Sequence, residues 1–159
     1  AVRYFDSNGH LLKELLQLPR PDRVHAVFHA AALCDYDVDE VLNEENQPVE
    51  MRKIRGSHAE LRVILKPAFK VLPQLGTLFT TARLVGWKIE MDGNREMAIL
   101  KAKEQLANCQ TTLCIINGKA FGEGFGVVDH TGLIDELPNR SEISRWLCEW
   151  AKRGLTVAG

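Results

Sequence analysis

Three short apolar runs, set apart by segments of helical periodicity, constrain this chain more than any other feature. Residues 24–33 read VHAVFHAAAL, residues 82–90 ARLVGWKIE and residues 111–117 TTLCIIN. Runs this short and this uniformly apolar are the pattern of strands covered on both faces, as in parallel sheets whose crossover helices shield both sides. Helix patterns separate and follow them. The clearest is NREMAILKAKEQLANC (94–109), which Asp92 or Asn94 can cap; Met97, Leu100 and the row Ala98, Ala102, Leu106 are expected to face the core. HLLKELLQL (10–18) has leucines at helical spacing and is closed by Pro19 and Pro21. AFKVLPQLG (68–76) predicts a short helix, disturbed by Pro73 and ended by Gly76. SEISRWLCEWAKRG (141–154) predicts a terminal helix capped by Ser141, with Ile143, Trp146, Leu147 and Trp150 inward. Strands alternating with helices in this way imply βαβ units, an α/β fold and right-handed crossovers.

The segments between these elements are less regular. DVDEVLNEENQPVE (37–50) is acidic and polar, and reads as a loop or short helix. MRKIR (51–55) and ELRVILK (60–66) read as two strands joined at Gly56-Ser57, a hairpin-like pair. GKAFGEGFGVVD (118–129) reads as a Gly-rich loop over the edge of the sheet, of the kind that serves as a lid, leading into a strand at 125–129. Its GEGFG precedes a strand, so no helix N-terminus backs it as a phosphate loop.

With 159 residues, a single domain over 1–159 is expected. A formal net charge of -1 gives no electrostatic footprint for nucleic acid. No apolar run approaches the roughly 20 residues that span a bilayer. The opening AVRYFDSNGH has no basic region followed by an apolar one, so a cytoplasmic protein is expected. No two of the four cysteines stand in a C-x-x-C pair, and Cys34, Cys114 and Cys148 read as small buried hydrophobes. No metal site built by protein alone is expected.

In open parallel sheets, ligands bind beyond the carboxyl ends of the strands. Here those ends carry Asp35 after the first run, Lys88 and Glu90 at the second, and Asn117 after the third. The stretch VFHAAALCDYDV (27–38) is the most suggestive of them. Three alanines leave room for a group to approach the backbone, and the following carboxylate can hold its polar edge.

The ordered pieces AAALCDY, RKIR, VGWKIE, AILKAK and CIIN resemble the phosphopantothenoylcysteine synthetase family, over about residues 24–129. In bacteria that activity is usually the C-terminal half of a bifunctional coenzyme A biosynthesis protein. The resemblance implies a Rossmann-like, mostly parallel sheet with helices on both faces and a β-flap. It also implies a ligase that activates 4′-phosphopantothenate with CTP or ATP, assisted by Mg²⁺, and joins the acyl-nucleotide to cysteine. On the family's pattern Asp35 is the aspartate near the nucleotide base and ribose, and His29, Ala30, Ala31 and Ala32 form the small-residue strand end beneath the nucleotide. Lys53 corresponds to the lysine that binds the triphosphate and the activated intermediate, and Phe69, Lys70, Val71 and Leu72 to an NPDI-like turn. Trp87 stands for the aromatic that packs on the base, Lys101 for a helix lysine that reaches the phosphates, and Asn117 for the asparagine ending the third strand. The family works as a homodimer, and residues 51–66 resemble its dimer-forming flap.

The departures are definite. The family's GGT phosphate loop is absent, and so is a second helix lysine expected near Gln105 or Cys109. The family's SNxSSG segment, whose asparagine stabilises the intermediate, is echoed by VRYFDSNGH (2–10), but Asn8 stands only 27 positions before Asp35. That is less than half the expected gap, so residues 1–20 read as the strand end and helix leading into HAAALCDY, and the chain reads as a family member without its N-terminal βαβ portion. Each site residue also has a plain structural reading. Asp35 and Asn117 suit turns, Lys53 and Lys101 suit solvated faces, and Trp87 suits a core. A non-catalytic nucleotide-binding or scaffold protein on the same fold is the alternative. A Rossmann oxidoreductase is disfavoured, since no G-x-G-x-x-G follows a strand.

Overall fold

A computed structural model describes residues 2–50 and 60–153 of the chain. In chain order the elements are α1 (Asn8–Leu16), β1 (Ala26–His29), β2 (Tyr36–Leu42), β3 (Arg62–Pro67), α2 (Leu72–Leu78), β4 (Arg83–Ile89), α3 (Arg95–Cys109), β5 (Leu113–Gly118), β6 (Gly122–Val128), β7 (Leu133–Leu137) and α4 (Arg140–Arg153). They form two compact units, bounded by Ala1–Leu15 with Ala32–Lys70 and by Leu16–Ala31 with Val71–Gly159; each is considered over its described residues.

The second unit is built on a five-stranded sheet in the order β1-β4-β5-β6-β7. β1, β4 and β5 pair in parallel. β6 runs antiparallel to both β5 and β7, so four of the five strands point the same way. This is the α/β, Rossmann-like architecture that the alternation of apolar runs predicts. Period-2 alternation along β5 divides the core. Cys114 and Ile116 pack with Ala98, Ala102 and Leu106 of α3 on one face, while Leu113 and Ile115 pack with Ile143 and Leu147 of α4 on the other. Ala98 and Ala102 of α3 are fully buried, and their small side chains let the helix lie close to the strand. Asn94 caps α3 as expected, its side chain accepting from Met97 N at 2.9 Å.

Several expectations are corrected. Met97 and Leu100 are exposed on the far side of α3, because Ala98, Ala102 and Leu106 occupy the face toward the sheet. Asn139, rather than Ser141, caps α4, its Oδ1 accepting from Glu142 N at 3.0 Å. α2 runs past Gly76 to Leu78, with Pro73 tolerated in the first turn, where its missing N–H has no partner to lose. The glycine-rich segment is no loop over the sheet's edge: β6 begins at Gly122 and forms a hairpin with β5, and β7, which the sequence did not suggest, follows it.

β1 is an edge strand four residues long, not a strand buried on both faces, and its Phe28 is 43% exposed. Its ladder to β4 stops at the pair His29↔Gly86, so the alanines that follow lie beyond the strand.

In the first unit, β2 and β3 pair antiparallel as a two-stranded ribbon. Residues 36–42 are therefore a strand where a loop or short helix was expected. The reason is charge matching across the ribbon: Asp37 faces Lys66 in register, and Lys66 Nζ lies 2.8 Å from Asp39. The predicted partner of β3, residues 51–55, lies outside the described residues. Among the described residues no helix is long and apolar enough to cross a membrane.

Candidate functional site

In the first unit the chain crossings are set by one buried side chain. Ser7 caps α1, its hydroxyl accepting from His10 N at 3.2 Å and its carbonyl from Leu11 N at 2.9 Å. Asn8, the first helical residue, is only 6% exposed. Its Nδ2 donates to the carbonyls of Cys34 at 3.0 Å and Phe69 at 2.9 Å. Both amide hydrogens are thereby used. Ala68 N adds a bond to Asp35 O at 2.9 Å. The segments carrying Asp35 and Lys70 are thus clamped side by side, and the Lys70 ammonium pairs with the Asp35 carboxylate. Both side chains are largely exposed.

Beside this clamp is a cavity of about 170 Å³ lined by residues that include Asn8, Ala32, Leu33, Cys34 and Asp37. Ala32 is the small residue at its wall. Asp6 also lines it, its carboxyl held below the usual carboxylate range by hydrogen bonds first from His10 and then from Ser7. Cys34, expected to be buried, is exposed here because no strand continues past His29; Cys148 is likewise exposed, on the outer side of α4.

In the second unit the carboxyl ends of β4 and β5 meet at Glu90. Its N–H donates to Asn117 O at 2.9 Å, and its carbonyl accepts from Ala120 N at 3.0 Å. Gly118, at φ +112°, lies so close that a Cβ there would sit 2.4 Å from the Glu90 carbonyl oxygen. The Glu90 side chain is buried, yet one oxygen lies 2.5 Å from Lys101 Nζ and the other 3.5 Å from Lys88 Nζ. The hydrogen bond that the Lys101 ammonium donates to Glu90 raises its pKa above the ordinary value. The Asn117 Oδ1 is buried and has no hydrogen-bond partner among the described residues.

The other candidates in this unit are more ordinary. Trp87 is half-buried against the core beneath α4. Val71 is 1% exposed, within the core, and Leu72 opens α2. His29 ends β1, and burial holds its imidazole below the usual histidine value. Ala30 and Ala31 follow it as exposed coil. Lys53 lies outside the described residues. Of the candidates, the structure brings together Asp35, Phe69 and Lys70 in one unit; in the other it joins Lys101 to Glu90, and through Glu90 to Asn117.

The sequence signals Asn8 only through the SNGH echo, against which its spacing speaks, and Glu90 only as a polar strand end. Nothing local reveals that it is buried between two lysines.

The class that this architecture defines is an α/β domain with a Rossmann-like sheet and an appended two-stranded ribbon. Within that class the chain is similar to several solved structures. The DNA/pantothenate metabolism flavoprotein from Streptococcus pneumoniae superimposes with a TM-score of 0.78 at 18% identity, over 95% of this chain and 72% of that one. The C-terminal domain of the coenzyme A biosynthesis bifunctional protein CoaBC gives 0.63 at 18% identity, over 96% of this chain and 64% of that one. A Cab2 mutant in complex with phosphopantothenate-cysteine gives 0.56 at 20% identity, over 81% of this chain and 44% of that one. No protein-family model matches the chain, and no curated protein sequence matches it. The shared fold is that of the family which the sequence pieces resemble.

Proposed function

We propose that the protein is a nucleotide-dependent ligase of the phosphopantothenoylcysteine synthetase type, acting in coenzyme A biosynthesis. The observation that carries the reading is the clamp at Asn8. It pairs Asp35 with Lys70 beside a cavity walled by Ala32, in a fold shared with a DNA/pantothenate metabolism flavoprotein. In this reading CTP or ATP is the co-substrate, 4′-phosphopantothenate supplies the carboxylate and cysteine the amine. Asp35 holds the polar edge of the nucleotide. Lys53, Lys70 and Lys101 offset phosphate charge as pyrophosphate leaves. Asn117 offers its unsatisfied Oδ1 as an acceptor. Catalysis is then mostly positioning and charge stabilisation. Among the described residues no three His, Cys, Asp or Glu side chains are grouped to hold a metal, so the residues described do not form a protein cage for Mg²⁺.

A homodimer belongs to the same reading. Tyr36, Val38, Val63, Ile64 and Leu65 are all exposed on the β2–β3 ribbon. Apolar side chains on both strands of a two-stranded ribbon suit pairing with a second copy.

A second reading, nucleotide binding without ligation, is favoured by one observation: Lys70 and Lys101 are each already paired with a carboxylate. One experiment tests both. Thermal-shift titrations with CTP, ATP and NAD in Mg²⁺ are run on the wild type and Asp35→Ala, together with an assay of pyrophosphate release. One triphosphate should raise the melting temperature of the wild type only; 4′-phosphopantothenate alone should release about one equivalent of pyrophosphate as the acyl-nucleotide forms, and continued release should require cysteine as well. A triphosphate shift without release favours the second reading. Equal shifts in both proteins remove the assignment of Asp35.

A further inference from the structure

Arg95 stands where a helix least favours a cation. It is the first residue of α3, at the positive end of the helix dipole, and its neighbour Glu96 is the kind of residue that this end prefers. A residue that breaks a local rule is held in place by what it does elsewhere. The Arg95 side chain reaches away from its own helix. Its Nη1 donates to the Phe121 carbonyl at 3.2 Å, and its Nη2 lies 2.5 Å from a Glu136 carboxylate oxygen on β7. The guanidinium carbon sits 4.3 Å from the centre of the Phe121 ring. That ring is buried over Gly126, where a Cβ would lie 2.5 Å from it. The ion pair is open to solvent and contributes little by itself. What the planar fork supplies is geometry, since it holds the ring and the carbonyl of one residue at once.

Phe121 closes the turn between β5 and β6. Its N–H donates to Gly118 O at 3.1 Å, and Ala120 N donates to Glu90 O at 3.0 Å. The turn is therefore fastened twice to the segment that carries β4 into α3, by the main chain at Glu90 and by a side chain at Arg95. Asn117 enters this turn with its Oδ1 buried and without a partner among the described residues. Such an acceptor meets a donor in one orientation only if the backbone beneath it stays still. We propose that Arg95 is a positioning residue: it locks the 118–122 turn to the head of α3 and so fixes the direction of the Asn117 amide. It acts through Phe121 and the turn, not on a ligand. The proposal rests on the ligase reading only for the identity of the ligand that Asn117 meets.

The test compares the full-length wild type with Arg95→Met, Arg95→Lys and Glu136→Gln, and circular dichroism melts confirm that each is folded. Arg95→Met removes the fork and the charge. Arg95→Lys keeps the charge toward Glu136 and loses the fork. Glu136→Gln removes the ion pair and keeps the fork on Phe121. Amide exchange read by NMR should therefore quicken about tenfold at Ala120 and Phe121 in both Arg95 variants, the scale of one lost hydrogen bond. The side-chain amide signal of Asn117 should move with it, and Glu136→Gln should match the wild type. A merely stabilising arginine would quicken exchange throughout β5 and leave the Asn117 signal in place. A double-mutant cycle then uses whichever of CTP and ATP raises the wild-type melting temperature. Arg95→Met and Asn117→Ala should each weaken its binding, and the two together no more than Asn117→Ala alone. Wild-type exchange at Ala120 and Phe121 in folded Arg95→Met, an unmoved Asn117 signal, or losses that multiply in the double variant would each overturn the proposal. A turn governed by Arg95 in a protein that binds no triphosphate would leave the positioning role standing and remove the ligase reading instead.

Discussion

Asn8 and Phe69, 61 positions apart in the chain, are joined by a hydrogen bond of 2.9 Å from the side-chain amide of the first to the carbonyl of the second. The other amide hydrogen goes to Cys34 O, so one side chain ties together three segments of the first unit. Asn8→Ala leaves two part-buried carbonyls without donors and should cost about 1–3 kcal/mol. Asn8→Asp should cost more, since it removes both donors and sets a carboxylate against two carbonyl oxygens. Urea denaturation ranks the three proteins; equal stability of the alanine variant and the wild type would show that the clamp contributes nothing.

Gly118 has a positive φ and lies against the backbone of Glu90. Gly118→Ala forces a non-glycine residue into that conformation, at about 1–3 kcal/mol for the backbone strain alone. The overlap of its Cβ with the Glu90 carbonyl adds to this. Gly122→Ala is the control, because a Cβ there meets nothing within 4 Å although its φ is also positive. Gly118→Ala should melt well below Gly122→Ala.

His29 makes stability depend on pH in a stated direction. Its folded-state pKa is lowered from 6.5 by burial. Above 6.5 both folded and unfolded forms are neutral and the full stability is present. As pH falls below 6.5 the unfolded chain takes up a proton that the folded chain resists, so stability declines toward the lower folded value. Melts at pH 7.5 and pH 5 should show a smaller acid-side loss for His29→Gln than for the wild type.

The cysteines should separate by reactivity. Burial pushes the Cys114 thiol up to about 12, whereas Cys34 and Cys148 are exposed. Thiolate is the reactive form. Native protein treated with iodoacetamide at pH 8 should be alkylated at Cys34 and Cys148 and spared at Cys114, with Cys114 reacting only after denaturation. Peptide mass spectrometry reads this directly, and native modification of Cys114 would mean that the β5 core opens.

Much of the second unit was legible in residue order because its signals are local. The apolar runs at 82–90 and 111–117 became β4 and β5, the Ala98–Ala102–Leu106 row became the buried stripe of α3, and Asn94 became its cap. Each depends on neighbours a few positions away, through side-chain periodicity and a side chain bonding its own helix. The position of Asn117 at the carboxyl end of β5 followed from the same alternation, whereas Asp35, expected at the end of the first strand, lies beyond it because β1 stops at His29.

Partners separated by long stretches of chain were decided only in three dimensions. β2 looks like an acidic loop until Lys66 of β3 is laid across it. The alanines after His29 look buried until β1 proves to be an edge strand whose ladder ends there. Lys101 looks like a solvated lysine until Glu90 is found beneath it, and Asn8 looks misplaced by its spacing until Cys34 and Phe69 close around it. A one-dimensional pattern records which side of an element is apolar. Which charge meets which, and which carbonyl finds a donor, depends on register and loop closure, and those exist only once the chain has packed.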